Sequence, residues 1–219
     1  MKQQDKDYIP ALKYDWLTSF YDPLMQWLLR EDVFKRQLLA QARIEPGHRV
    51  LDLGCGTGTL TLLIKQNHPQ AEVTGLDGDP KALQIARGKA AQRQLSVTLD
   101  EGLAQQLPYP DASFDRVVSS LFFHHLTREN KQKALGEAFR VLRGGGELHV
   151  ADWGEPKNFL FRGAFLIVQL LDGFETTTDN VKGRLPEMIA AAGFQSVQQT
   201  AQFGTLTGTM ALYRAVKPT

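Results

Sequence analysis

Val50-Leu51-Asp52-Leu53-Gly54-Cys55-Gly56-Thr57-Gly58 is the stretch that decides the fold of this 219-residue chain. An apolar strand runs into three alternating glycines, and a helix-like segment, 59–66, follows them. Glycines in such a turn let the backbone approach a ligand closely. A second apolar strand, 72–76, is followed by Asp77, whose carboxylate can accept hydrogen bonds from the two hydroxyls of a ribose. The sequence therefore predicts a ligand that contains a nucleoside.

The spacing of the glycines separates two classes of cofactor. A dinucleotide fingerprint reads Gly-x-Gly-x-x-Gly, whereas the glycines here stand at positions 54, 56 and 58. Asp52 stands two positions before the first glycine, where it would repel a pyrophosphate but would suit a ligand with an ammonium group and a sulfonium. Because an acidic residue precedes the three glycines in this way, the chain resembles the class I S-adenosylmethionine-dependent methyltransferases.

Strand-like and helix-like segments alternate along the chain, which predicts a mostly parallel sheet. The predicted strands are 49–53, 72–76, 96–99, 115–119, 147–151, 196–201 and 209–216, and the predicted helices are 59–66, 80–93, 128–142 and 185–192. The resemblance covers residues 45–216. It implies a Rossmann-like α/β fold: a seven-stranded mixed sheet with an antiparallel last hairpin, helices on both faces and an N-terminal helical cap.

The chain shows no internal repeat and no linker, so we expect a single methyltransferase domain over 1–219. Its expected parts are an N-terminal helical cap (1–44), a cofactor-binding core (45–152), a variable substrate-side cap (153–180), and a C-terminal helix and strand hairpin (181–219). Aromatic residues are dense in the first part, which suggests a flap over the cofactor cleft. The apolar stretch 159–171 could cover an acceptor pocket, pair with a second subunit or lie on a membrane surface.

The stretch Leu107-Pro108-Tyr109-Pro110-Asp111-Ala112-Ser113-Phe114-Asp115 narrows the resemblance. It is similar to a signature of the small-molecule branch that includes the ubiquinone and menaquinone biosynthesis methyltransferases. Physically it is a proline-rich turn that leads into the central strand. We therefore assign it a structural role and not a catalytic one.

Ligands of open parallel sheets bind beyond the carboxyl ends of the strands. With the resemblance, this rule predicts cofactor contacts at Tyr21, Asp52, Gly54, Cys55, Gly56, Gly58, Asp77, Gly78, Leu103, Ala104 and Ser120. Many relatives carry an acid at the position of Leu103, beside the adenine amine. Leu103 departs from that pattern, so we expect apolar packing on the adenine ring instead.

Methyl transfer from a sulfonium is an in-line displacement, which requires chiefly that the acceptor be held close to the methyl group while water is excluded. A general base helps only where the acceptor must lose a proton. His124 and Asp152 follow the fourth and fifth strands and are the predicted catalytic residues. The alternatives are a loop histidine without a catalytic role and a capping aspartate. We expect His125 to pack beneath the loop.

The composition excludes several other classes of protein. The net charge is +1 and no Lys/Arg-rich block appears, which argues against a nucleic-acid partner. The histidines are scattered and predict no metal site, and no stretch is apolar enough to cross a membrane. The polar start predicts no signal peptide, and the single cysteine allows no internal disulfide. We expect a cytoplasmic protein.

The sequence thus predicts an S-adenosylmethionine-dependent methyltransferase that acts on a small, partly hydrophobic acceptor and releases S-adenosylhomocysteine. Three alternatives stay open: a non-catalytic S-adenosylmethionine-binding partner or sensor, an NAD-dependent oxidoreductase, and a methyltransferase of protein or nucleic acid. The fold does not decide which atom of the acceptor is methylated, and the oligomeric state is equally open.

Overall fold

The computed structural model describes residues 31–219 of the chain. The helices are α1 (Glu31–Ala42), α2 (Thr59–Asn67), α3 (Pro80–Gln92), α4 (Arg128–Val141), α5 (Phe159–Asp172), α6 (Phe174–Val181) and α7 (Leu185–Ala191), with a short 3-10 helix at Phe123–His125. The strands are β1 (Arg49–Leu53), β2 (Glu72–Asp77), β3 (Thr98–Glu101), β4 (Phe114–Ser120), β5 (Leu142–Trp153), β6 (Gln195–Thr205) and β7 (Gly208–Val216).

The seven strands form one sheet in the order β3-β2-β1-β4-β5-β7-β6. Neighbours among β1 to β5 are parallel, and β7 is antiparallel to both β5 and β6. The predicted Rossmann-like mixed sheet with an antiparallel last hairpin is therefore confirmed. The strand order reverses between β1 and β4, and this is where such sheets bind ligands.

Helices cover both faces of the sheet, as predicted. Side chains of β1 alternate between two apolar clusters: Leu51 and Leu53 pack with α4 and α7, whereas Val50 packs with α1, α2 and α5. Four of the five β1 residues are buried, which is typical of a central parallel strand covered on both sides. This burial anchors the glycine turn that follows β1.

Three predicted strands have bounds that differ from the structure by two or more residues. The strand predicted over 196–201 is β6, which runs to Thr205. β3 lies two residues later than predicted, because its pairing with β2 continues to the end of that strand, where Asp77 faces Glu101. β5 begins at Leu142 and not at Glu147. The glycines that follow the predicted helix 128–142 are part of β5, because the Gly145 N–H donates to the carbonyl of Lys217 and the carbonyl of Gly146 accepts from the Lys217 N–H.

The region after β5, which the sequence pattern left irregular, is helical. The Asn158 side chain caps α5 by accepting hydrogen bonds from the N–H groups of Leu160 and Phe161. Gly173, with φ +96°, separates α5 from α6. Because α5 carries apolar residues on more than one face, its sequence is a nearly continuous apolar run, which does not by itself distinguish a helix from a strand. The N-terminal cap predicted over 1–44 lies outside the described residues except for α1 and the loop that follows it.

Gly58 provides a test of how tightly the core is packed. Its φ is +75°, and a Cβ there would lie 2.8 Å from the Cβ of Ala86 on α3. We expect Gly58→Ala to lower the free energy of unfolding by about 1–3 kcal/mol, since both the backbone conformation and the contact are unfavourable. Urea denaturation measures this change.

Gly88→Ala is the matched control for this substitution. Gly88 is exposed on α3, and a Cβ there would meet nothing within 4 Å. We expect this change to raise the free energy of unfolding by about 0.4–1 kcal/mol. An equal effect of the two substitutions would contradict the packing described for Gly58.

Candidate functional site

A cleft of about 540 Å³ lies at the carboxyl ends of the parallel strands, beside the point where the strand order reverses. Its volume is in the range of small-molecule sites. One half of its wall, here called the cofactor half, consists of Gly54, Gly56, Leu76, Asp77, Gly78 and the segment 102–105. The other half, here called the acceptor half, consists of Leu121, Phe122, the segment 125–130, Lys133 and Glu175.

Asp77 holds the glycine turn and the start of α3 together. Its Oδ2 accepts a hydrogen bond of 2.7 Å from the Gly56 N–H, and its Oδ1 accepts one of 2.9 Å from the Asp79 N–H. Burial raises the pKa of Asp77 above its usual value, and the two N–H groups oppose that shift. A carboxylate oxygen can accept more than one hydrogen bond, so both oxygens keep acceptor capacity for ribose hydroxyls.

The three glycines of the turn serve different purposes. A Cβ on Gly56, which has φ +52°, would meet nothing within 4 Å. The Gly56 backbone is therefore accessible from the cleft. A Cβ on Gly54 would lie 2.2 Å from ring atoms of Phe122, which packs directly on it. Gly58 lies against α3. Close approach of the backbone to a ligand is therefore supported at Gly56, whereas the other two glycines allow side chains to pack.

Asp52 and Cys55 are buried and do not line the cleft. The Asp52 Oδ2 accepts a 2.6 Å hydrogen bond from the Thr61 hydroxyl, while its Oδ1 has no hydrogen-bond partner in the part of the chain that the structure describes. Burial raises the pKa of Asp52 to about 6, although Thr61 and Lys35 oppose the shift. Burial also raises the pKa of the Cys55 thiol, so this cysteine packs in its neutral form.

The segment after β3 presents an apolar surface. Leu103 is 42% exposed and lines the cleft beside Ala104. The Gly102 N–H donates to the Asp77 carbonyl at 3.0 Å, which fixes the segment next to Asp77. This arrangement agrees with apolar packing on an adenine ring.

These residues fit S-adenosylmethionine. Asp77 has oxygen atoms that can accept hydrogen bonds from ribose hydroxyls. Gly56 has a backbone that a ligand can approach closely, and Leu103 has an apolar side chain that can contact the base. The unpaired Oδ1 of Asp52 is a buried polar atom behind the glycine turn, outside the wall of the cleft. Gly78 lines the same cleft, whereas Ser120, at the end of β4, is not part of its wall. Tyr21 lies outside the described residues.

The two histidines after β4 have exchanged places relative to the prediction, which put His124 at the cleft and His125 beneath the loop. His124 is buried, and its Nδ1 lies 2.7 Å from Oδ1 of the buried Asp152. The His125 ring lines the cleft and packs on the His124 ring, with 3.9 Å between their centroids. The predicted catalytic pair, His124 and Asp152, therefore lies behind the wall, and the residue expected beneath the loop forms the wall.

Burial affects the pKa values of His125 and Asp152, which lie on either side of His124, in opposite directions. It lowers the pKa of His125 to about 3, and the neighbouring His124 lowers it further, so the ring facing the cleft is neutral at neutral pH. Burial alone would raise the pKa of Asp152, but His124 and the Trp153 N–H hold it below its usual value. Asp152 is therefore an anion that fixes His124.

Lys131 is a positioning residue that the sequence pattern did not reveal. Its side chain is fully buried, and its Nζ donates to the carbonyls of Leu126 and Thr176. These bonds join the loop after β4 to α6, which carries the cleft residue Glu175. Because helix α6 was not predicted, nothing in the sequence indicated which residues would lie beside Lys131.

Other kinds of site find no support in the described ranges. Within residues 31–219, no group of three His, Cys, Asp or Glu side chains is arranged to hold a metal ion. Among the helices of the same residues, none has the length and apolar character needed to cross a membrane.

Comparisons with known proteins agree with this geometry. Residues 50–146 match the family described as a methyltransferase domain. A demethylmenaquinone methyltransferase of Deinococcus radiodurans is 34% identical over 188 residues, which cover 84% of this chain and 76% of the relative. One of Thermus thermophilus is 35% identical over 193 residues, which cover 78% of this chain and 85% of the relative.

A solved structure supports the fold. The S-adenosylmethionine-dependent methyltransferase SibL, in its apo form, superposes with a TM-score of 0.72 and 23% identity, over 91% of this chain and 58% of that chain. These similarities favour neither the nicotinamide alternative nor the non-catalytic one.

Asp77→Ala tests the cofactor half. Loss of charge-assisted hydrogen bonds worth roughly 1.5–3 kcal/mol should weaken S-adenosylhomocysteine binding by an order of magnitude or more. Calorimetric titration measures the affinity. Glu101→Ala, which removes an exposed carboxylate at the end of the neighbouring strand, should leave affinity unchanged. Equal affinities for the two variants would remove the ribose role from Asp77.

A second prediction concerns the burial of His125. The pKa of this ring is 6.5 in its unperturbed form and about 3 in the folded chain, so between these values the unfolded chain binds more protons. Stability is therefore lost as pH falls through this window. His125→Asn should lose less stability than the parent chain between about pH 7 and about pH 4.5, measured by urea denaturation.

Gln132→Asn is the control for the His125 experiment, since Gln132 is exposed and does not titrate. It should follow the parent chain across the same pH range. Parallel pH profiles for His125→Asn and the parent chain would show that folding does not lower the pKa of the His125 ring.

Proposed function

This chain belongs to the class I S-adenosylmethionine-dependent methyltransferases, in the branch of the quinone-biosynthesis enzymes, and we propose that its acceptor is a small hydrophobic hydroxylated ring of the quinone-precursor type. The observation that carries this proposal is the identity of 34–35% with two demethylmenaquinone methyltransferases, which extends over most of each chain. The residues that form the wall of the acceptor half support the same proposal on physical grounds.

The acceptor half combines an apolar part with a charged rim. Leu121, Phe122 and Leu126 are partly buried and supply apolar surface for a flat ring. The charged residues Arg128, Glu129, Lys133 and Glu175 are exposed at the edge. An aromatic acceptor gains free energy from the apolar contacts, while its polar substituents can remain near the rim.

In this proposal the cofactor half binds the methyl donor. S-adenosylmethionine, when bound, provides an electrophilic methyl group on a sulfonium. We propose that Asp77 binds the ribose hydroxyls, Gly56 approaches the ligand through its backbone and Leu103 packs on the adenine. Asp52 lies behind the cleft wall, and we propose that its charge attracts the ammonium group without direct contact. The protein's task is then to hold the acceptor in line with the methyl group and to exclude water.

His125 is the residue that we assign to the acceptor. With a pKa near 3, it is too weak a base to store a proton at neutral pH, but a neutral ring can accept or donate a hydrogen bond to the acceptor hydroxyl. His124 packs on it, and Asp152 fixes His124. In this proposal His125 orients the acceptor, and His124 and Asp152 are positioning residues.

A methyl-transfer assay with isotopically labelled S-adenosylmethionine tests the acceptor class. The panel contains a reduced prenyl-naphthoquinone, hydrophobic phenols and polar amines. We expect the label in the reduced naphthoquinone and, more slowly, in the phenols. Turnover confined to the polar amines would contradict the proposal, as would a lack of turnover on the whole panel by protein that binds the cofactor.

His125→Asn tests the orienting role. Loss of a neutral hydrogen bond worth about 0.5–1.5 kcal/mol should lower kcat/KM for the acceptor by up to about tenfold, with cofactor affinity unchanged. Gln132→Asn, on an exposed residue of α4 outside this cleft, is the matched control. Unchanged kinetics for His125→Asn on the best acceptor would remove this role.

A further inference from the structure

The outer face of α5 carries large apolar side chains that are exposed in the described part of the chain. Phe159 is 81% exposed, Leu160 67%, Leu166 42%, Ile167 59% and Leu170 73%. At about 100° per residue, these five positions fall within an arc of about 120° on one side of the helix. We call this set of five residues the α5 stripe. An exposed apolar patch of this kind marks an interaction surface.

The opposite face of α5 is already used. Phe165 and Val168 are buried in the cluster that contains Trp153 and Met210. A helix that is apolar on both faces is normally covered on both faces. The stripe is not the wall of the cleft, since no residue of α5 lines the cleft. It therefore needs a partner of another kind.

Gly163 lies at the centre of the stripe, four residues from Phe159 and four from Ile167. It is exposed, and a Cβ there would meet nothing within 4 Å, so packing within residues 31–219 does not require a glycine. A glycine inside a helix costs roughly 0.5–1 kcal/mol relative to alanine. The missing side chain leaves a depression in the middle of the apolar face. The side chains at a helix crossing determine how close the two axes come, so a second helix can approach closely at Gly163.

A second copy of α5 matches this pattern. In an antiparallel pair that crosses at Gly163, each position faces the one equally distant on the other side of the centre. Phe159 of one copy then faces Ile167 of the other, and Leu160 faces Leu166. Every such pair is apolar, and no charge is buried. A surface that complements itself in this way is what a two-fold symmetric interface requires.

The area of the stripe is sufficient for a dimer. At about 200 Å² for a fully exposed side chain of this size, the exposed fractions amount to roughly 650 Å² per chain. Stable interfaces bury about 600–1,000 Å² per partner.

A lipid surface matches the helix less well. Helices that lie on membranes are rich in Lys and Arg beside their apolar face. In contrast, α5 contains Arg162 and no lysine, and the Arg162 Nη1 donates to Oε1 of the buried Gln169. The charge that would attract an anionic membrane is therefore small.

We propose that the α5 stripe is the interface of a homodimer in which two α5 helices cross antiparallel at Gly163. The proposal is independent of the acceptor's identity, because it rests on the exposed face of α5 and on Gly163. Since no residue of α5 lines the cleft, its failure would leave the proposed function untouched.

Analytical ultracentrifugation of the full-length chain tests this proposal. We expect the parent chain to sediment as a dimer at micromolar concentrations. Ile167→Glu places a carboxylate opposite Phe159 and should raise the dimer dissociation constant at least roughly tenfold. Ile85→Glu, the same substitution at a partly exposed position of α3, is the control and should leave the constant unchanged. Far-UV circular dichroism should show both variants folded like the parent chain.

Gly163→Leu distinguishes a second copy from a lipid surface. The added side chain enlarges the apolar face, so it would strengthen binding to lipid. It also fills the depression at the crossing point, so it should raise the dimer dissociation constant at least roughly tenfold.

Each other outcome would overturn the proposal. A parent chain that is monomeric at every concentration would show that the stripe is not a dimer interface. A dimer that Ile167→Glu and Gly163→Leu leave intact would have its interface elsewhere. A monomer that binds phosphatidylglycerol vesicles, and binds them more tightly as Gly163→Leu, would assign the face to a lipid surface.

Discussion

The carboxylate of Asp77 accepts hydrogen bonds from the N–H groups of Gly56 and Asp79, and the shape of the cofactor half depends on these two bonds. They connect the turn after β1 to the turn after β2, so neither can shift without the other. The left-handed conformation at Gly56 and the buried β1 beneath it make this connection possible. A ligand therefore meets a surface whose backbone is already in place, and little ordering is left for the moment of binding.

The acceptor half is held by a second set of buried polar contacts. Asp152 fixes His124, His124 packs under His125, and Lys131 joins the loop after β4 to α6. A buried charge is costly unless it is paired and hydrogen-bonded, and these groups satisfy one another. The result is a wall in which a neutral ring faces the acceptor while the charges that hold it stay inside the protein.

The fold and the placement of Asp77 and Gly56 at the cleft could be predicted from the sequence, because both depend on local patterns. Apolar strands, alternating glycines and a carboxylate at a strand end determine where Asp77 and Gly56 lie. The acceptor half depends on packing between distant segments. Which of the two histidines faces the cleft follows from the position of Asp152, and the role of Lys131 follows from α6, whose helix the periodicity did not reveal. The roles of Gly54 and Gly58 likewise depend on neighbours, Phe122 and Ala86, that are remote in sequence.

The contact between Gly54 and Phe122 has a consequence for how such an enzyme can diverge. The Phe122 ring occupies the space that a side chain at position 54 would need, and it belongs to the acceptor half while Gly54 belongs to the cofactor half. Because Gly54 also has φ +72°, a residue other than glycine at this position would be strained even beside a smaller side chain at position 122. A change of acceptor is therefore more easily accommodated at the exposed residues of the rim than at Phe122, whose ring packs on the glycine turn of the cofactor half.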